Sequence, residues 1–290
     1  VLNIGGGSSR LAVARLGSSG FEVLDGNVSE VALRDVPRGG SSGGTLHWMF
    51  SERQEVGAFV GRYGLLTYDG VAFELVSFEP PDAAYNGSPH MFEDAGALYV
   101  VIESGGLLSG DYTNPFKVYR LEGNALVSEF TVEASPDFVQ GAPVLRDGSV
   151  YVTEGQGGLG LEVVRYGKTG DREVLVNEAG FVYGPVRASN LGPTWVKYYT
   201  GSVDNRYSRS QYYDVTRGVV VDLPYRFPDG VSQPGGSSAE DYLFGISEAT
   251  AEYLVAFSFQ GQLHMIVNAI SGVGEAGNPS DILLMRFDEG

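Results

Sequence analysis

The chain has 290 residues, 43% of them hydrophobic, and no cysteine, which excludes disulfides, thiolate nucleophiles and Cys-type zinc sites together. No stretch reaches the ~18 unbroken apolar residues of a membrane-spanning helix, so insertion by that route is excluded. With 19 Lys+Arg against 36 Asp+Glu the net charge is −17, a field that repels phosphate backbones and removes nucleic acid from the expected partners.

The first residue is Val1 and no basic stretch precedes an apolar one, so the expectation is a processed form or an excised fragment. An extracellular or virion-associated placement is expected for it. A hairpin opens the chain, with strand 11–16, the turn Gly17-Ser-Ser-Gly20 and strand 21–24. Leu46–Phe50 reads as the next strand, and Tyr68-Asp-Gly-Val71 as a hairpin turn. The segment 85–105 then holds a Gly-Ser-Pro opening, a short strand, the turn Ala95-Gly96 and a β-branched and aromatic strand. The same plan returns in 138–155, around Pro143 and Asp147-Gly148, and in 181–201, around Pro185 and Asn190-Leu-Gly-Pro193. Hairpins centred on Glu122-Gly-Asn124, Gly167-Lys-Thr-Gly170 and Thr216-Arg-Gly-Val219 close these units. The Pro-, Gly- and Ser-rich stretch 224–238 reads as a long loop, and 239–250 as a short helix or strand. Strands at 253–259 and 262–267 follow, and the chain ends on a lone strand, Ile282–Phe287.

These segments form an internal repeat. Pro89 and Pro143 are 54 residues apart, Pro143 and Pro185 are 42 apart, and His47 and His90 are 43 apart. Periods of roughly 40–50 residues with four strands per unit predict propeller blades. The expected fold is therefore all-β: a single domain over 1–290 forming a five-bladed β-propeller, with six blades as the alternative count. The C-terminal strand is expected to pair with an N-terminal strand within 9–25, so that no sheet edge stays open.

Tyr183-Gly184-Pro185 and the strands after it resemble the acid-bearing blade of glycoside hydrolase family 43, the arabinanase and xylosidase group. That blade opens with Glu-Gly-Pro. Ser88-Pro89 is similar to the Asp-Pro openings that carry the family's other carboxylates. The resemblance implies a carbohydrate-related propeller, but the carboxylates themselves are replaced: Ser88, Ala142 and Tyr183 stand in their places. Glycosidic hydrolysis needs two carboxyl groups roughly 5–9.5 Å apart.

Two readings follow. In the first the propeller binds a glycan or a cell-surface receptor without cutting it, through the strand-opening residues Asn86, Gln140 and Tyr183 with Tyr85, His90 and Phe138. Amides and hydroxyls suit sugar hydroxyls, and aromatic faces stack on sugar C–H surfaces. In the second, displaced carboxylates restore hydrolysis. Glu103 and Glu154 end comparable second strands, and Asp82 and Asp137 follow prolines just upstream of the openings. A protein-interaction platform is the third class. No cofactor is expected. Asp111–Asn114 and Asp204-Asn205 offer oxygen ligands for a structural calcium ion, without the spacing of a calcium loop. The sequence leaves the oligomeric state open.

Overall fold

The computed structural model describes residues 9–17, 20–31, 38–51, 62–82, 87, 89–103, 115–133, 139–140, 143–156, 160–179, 182–183, 191–200, 206–222, 255–259, 262–270 and 280–287. The described residues are all-β: they contain strands and turns and no helix. Runs rich in β-branched and aromatic residues form the strands, and glycine turns reverse the chain after short runs.

The described strands form six sheets built mainly of antiparallel neighbours in chain order. β1 (Ser9–Gly17) and β2 (Gly20–Val31) form a hairpin. β3 (Arg38–Ser42), β4 (Thr45–Ser51), β5 (Tyr63–Tyr68) and β6 (Phe73–Phe78) form the first four-stranded meander. β7 (Pro89–Asp94), β8 (Ala97–Glu103), β9 (Phe116–Glu122) and β10 (Ala125–Val132) form the second. In the third sheet two short pieces, β11 (Val139–Gln140) and β12 (Val144–Arg146), both pair with β13 (Ser149–Gln156), followed by β14 (Gly160–Tyr166) and β15 (Arg172–Ala179). β16 (Val182–Tyr183), β17 (Thr194–Thr200), β18 (Arg206–Asp214) and β19 (Val219–Asp222) form the fourth meander. β20 (Val255–Phe259), β21 (Gln262–Ile270) and β22 (Ser280–Phe287) form a three-stranded sheet. The four-stranded antiparallel meander is the unit from which propeller blades are built.

The chain divides into two compact units, one holding the strands up to β10 together with Leu145–Gly148 and Lys168–Gly170, the other holding the rest. In the first unit, Met49, Tyr63 and Leu65 from one meander interlock with Met91, Val100, Ile102 and Tyr119 from the next. β3 approaches closely because it carries glycine. A Cβ on Gly40 would lie 2.9 Å from Leu98 Cδ2. In the second unit Leu161 and Val163 of β14 pack on Trp195 of β17, with Leu175, Val176 and Tyr213 around them.

The first turn of three successive sheets has the same backbone. Both central residues have positive φ at Gly43-Gly44 (58° and 84°), Ala95-Gly96 (50° and 78°) and Asp147-Gly148 (49° and 68°). This is the primed hairpin turn whose twist matches that of the flanking strands. Gly44, Gly96 and Gly148 follow one another at 52 residues, whereas Pro89 and Pro143 are 54 apart. The repeat is thus in register through its turns and not through its prolines. Pro89 opens β7 opposite Ile102, while Pro143 falls in the break between β11 and β12, and Gln140 takes the place opposite Glu154.

One expectation needs correction and others fall outside what is described. β1 pairs with β2 and β22 with β21. Counted from their turns, Glu103 corresponds to Gly155 and Glu154 to Ile102, so the two glutamates do not end matching strands. An offset of one residue moves a side chain to the opposite face of its sheet. Pro185 and the segment 224–250 lie outside the described residues.

Candidate functional site

Of the strand-opening residues, Tyr85, Asn86 and Phe138 lie outside the described residues, as do Asp137 and the calcium candidates Asp111–Asn114 and Asp204-Asn205. Gln140 and Tyr183 are described as backbone. Each lies in the two-residue strand that begins its sheet, Gln140 opposite Glu154 and Tyr183 opposite Val196. His90 is the second residue of β7, opposite Val101, and is buried.

Of the carboxylates named as hydrolytic alternatives, the three that are described, Glu103, Asp82 and Glu154, are each engaged. Glu103 closes β8. Its Oε1 lies 2.9 Å from His90 Nε2, the side chains being 27% and 2% exposed, so an Nε2–H donates to the carboxylate. The backbone carbonyl of Glu103 also accepts from Gly87 N–H at 2.9 Å, and the Gly87 carbonyl accepts from Tyr63 Oη at 2.8 Å. Asp82 Oδ2 accepts from Lys117 Nζ at 2.7 Å, and Lys117 lies 5.7 Å from the centre of the Tyr119 ring. Lys117 pairs with Ile102, and Glu103 is the next residue along β8, so Lys117 and Glu103 point to opposite faces of that sheet.

Glu154 is wholly buried. Its Oε1 accepts from the Tyr166 hydroxyl and its Oε2 from Arg172 Nη2 at 2.8 Å. Arg172 also donates to Glu162 at 2.5 Å, and Asn177 to the same carboxylate at 3.1 Å. Register places these residues on one face of the third sheet, since Glu154 opposes Glu162, Glu162 opposes Asn177 and Tyr166 opposes Arg172. Burial, then the hydrogen bond to Glu154, pushes the Tyr166 phenol well above the usual tyrosine range. Burial works against the Arg172 charge, but the hydrogen bonds to Glu154 and Glu162 outweigh it and raise the guanidinium further. The cluster keeps its tyrosine neutral and its arginine charged.

The strands therefore bring Glu103 to His90 and Glu154 to Tyr166 and Arg172. No group of three or more His, Asp or Glu side chains among the described residues could hold a metal ion. Tyr63, Tyr166, Lys117 and Arg172 were not singled out in the sequence. Glu154 carried a usable signal, because Val150, Val152 and Glu154 share one face of a strand and an acid on an apolar face needs partners. Tyr166 and Arg172 flank the recognised turn Gly167–Gly170 and were the nearest candidates.

No known family matches the chain, and no curated protein matches it. Solved structures do. Over 90% of this chain and 96% of its own, an exo-1,5-α-L-arabinanase from a bovine ruminal metagenomic library is similar at 16% identity and a TM-score of 0.44. An exo-β-1,3-galactanase from Phanerochaete chrysosporium is similar over 90% of this chain and 60% of its own, at 8% identity and a TM-score of 0.45. A GH43_1 enzyme from Xanthomonas citri is similar over 84% of this chain and 83% of its own, at 15% identity and a TM-score of 0.41.

Proposed function

We propose that the chain is a carbohydrate-binding propeller of the glycoside-hydrolase type that binds a glycan, free or on a cell-surface receptor, without cutting it. One observation carries the choice between binding and hydrolysis. Every described carboxylate that could replace the missing ones is committed to a partner, with Glu103 on His90, Asp82 on Lys117, and Glu154 buried under Tyr166 and Arg172. A glycosidase acid must reach the scissile oxygen and exchange its proton, and a wholly buried glutamate held by an arginine does neither. The strand openings carry amide and aromatic residues, Asn86, Gln140 and Tyr183 with Tyr85 and Phe138, a composition suited to holding sugar hydroxyls and ring faces.

The test is a panel of linear arabinan, xylan and aryl glycosides for turnover, beside the same polysaccharides and a glycan array for retention. Retention without turnover is expected, and Tyr183→Ala is expected to weaken it by about 1–3 kcal/mol, as for truncation of a contact residue at an interface. Turnover abolished by Glu103→Gln or Glu154→Gln would overturn the reading in favour of hydrolysis. Absence of both turnover and retention would leave the protein-interaction platform.

A further inference from the structure

We propose that Asp147-Gly148 is a latent site of isoaspartate formation, which the Asp94 carboxylate of the preceding sheet keeps closed. The chain contains four Asp-Gly pairs, beginning at Asp25, Asp69, Asp147 and Asp229. Such pairs are the most open to this chemistry, because no side chain shields the glycine nitrogen. Gly148 N attacks Asp147 Cγ, and the amide proton leaves with the carboxyl hydroxyl as one water. Water then adds back to the succinimide. Opening at the Asp147 backbone carbonyl frees the α-carboxyl and sends the chain through Cγ. The sum is an isomerisation that needs no oxidant or reductant. It inserts a methylene into the turn, so the strands on either side lose their register.

Asp147 is exposed, so water and protons reach it. What withholds reaction is the turn. With φ of 49° at Asp147 and 68° at Gly148 it is a primed hairpin turn, whose first central residue has ψ of about +30°. That angle puts Gly148 N nearly opposite Asp147 Cβ about the Cα–C bond, whereas the five-membered ring closes only when the two are eclipsed. One carboxylate holds this shape. Asp94, itself 8% exposed, accepts from Asp147 N–H at 2.9 Å through Oδ1 and from Gly148 N–H at 2.7 Å through Oδ2. The second bond engages the attacking nitrogen itself, and the adjacent negative charge opposes loss of its proton. Asp69-Gly70 is guarded differently. Asp69 Oδ1 accepts from Ala72 N–H and Val71 N–H at 2.8 Å each, which holds that carboxyl below the usual carboxylate range and so in its unreactive charged form. Its guard lies within its own turn.

The experiment ages the native full chain at mildly acidic pH as wild type, Asp94→Ala, Asp94→Asn and Ser42→Ala, with the wild type also aged in urea. Isoaspartate at each pair is read by peptide mapping and by enzymatic methylation of the isoaspartyl carboxyl. The wild type is expected to accumulate it at Asp147 when unfolded and far more slowly when native. Asp94→Ala removes both acceptors and is expected to raise accumulation at Asp147 about fivefold or more, since each lost hydrogen bond increases the population of the open turn. Asp94→Asn keeps one acceptor and should fall between, with Asp69 at the wild-type level in both. Ser42→Ala removes the corresponding bond one repeat earlier, to the Gly96 carbonyl, and is the control that leaves Asp147 unchanged. Asp94 variants that match the wild type at Asp147 overturn the proposal. So does a native wild type that isomerises there as fast as the unfolded chain. An equal rise at Asp69 and Asp147 marks general unfolding. Should Asp94→Ala show it, Asp94→Asn decides, and the same equal rise there overturns the proposal.

Discussion

Glu154 enters the interior of a sheet because its two oxygens are shared between a tyrosine and an arginine, and neither partner is itself wholly buried. Breaking such a pair is costly because one charge is left in a medium that cannot solvate it, whereas replacing both partners by apolar groups removes the problem. Arg172→Met is therefore expected to destabilise the protein by about 3 kcal/mol, the low end for a buried pair because the Arg172 side chain is 34% exposed. Glu154→Leu combined with Arg172→Met should recover most of that loss. Urea denaturation of the two variants checks both statements. A double variant as unstable as the single one would show that the carboxylate does more than satisfy its own partners.

Between neighbouring sheets of the first unit the turns are tied to one another. Ser42 Oγ donates to the Gly96 carbonyl at 3.2 Å, and 52 residues later Asp94 accepts from Asp147 N–H at 2.9 Å and Gly148 N–H at 2.7 Å. Ser42 and Asp94 occupy the same place, immediately before a primed turn, and each reaches the next turn along the chain. Asp94→Ala strands two N–H donors that water reaches in part, so a loss of about 1–2 kcal/mol is expected. Asp94→Asn keeps one acceptor and should fall between. Thermal unfolding checks the order, and an Asp94→Ala protein as stable as the wild type would sink the idea. The turns at Ala95-Gly96 and Asp147-Gly148 were legible in the sequence, because glycine between alternating apolar runs has few other uses, whereas the Gly43-Gly44 turn and the strand before it were not read. The register was less so. Proline marks where a strand opens, but Pro143 falls in the break between β11 and β12, where the pairing slips by one residue, and a break of that kind leaves no mark in residue type.

For the molecule as a whole, the all-β class was readable from the repeat, because strand period, turn chemistry and spacing agree. The site was readable as far as residue types go and no further. That Ser88, Ala142 and Tyr183 cannot act as acids follows from identity alone, but the engagement of Glu103 and Glu154 depends on partners brought from other strands. The net charge of −17 supplies one more discrimination. Acidic residues outnumber basic ones, 36 to 19, so like-charge repulsion opposes compactness, and surface pairs such as Arg165–Glu173 and Arg62–Glu79 return little, about 0–1 kcal/mol each. Raising salt from about 20 to about 200 mM shortens the screening length to below about 10 Å and weakens the repulsion more than it weakens those pairs. The melting temperature is thus expected to rise by a few degrees over that range. A neutral polysaccharide carries no charge for the acidic surface to attract or repel, so retention on linear arabinan or xylan should stay constant over the same range. A basic protein partner would behave oppositely, its association falling several-fold as the attraction is screened. Constant retention beside a rising melting temperature is the result expected of a glycan binder. Retention that falls steeply with salt would move the molecule to the class of protein-interaction platforms.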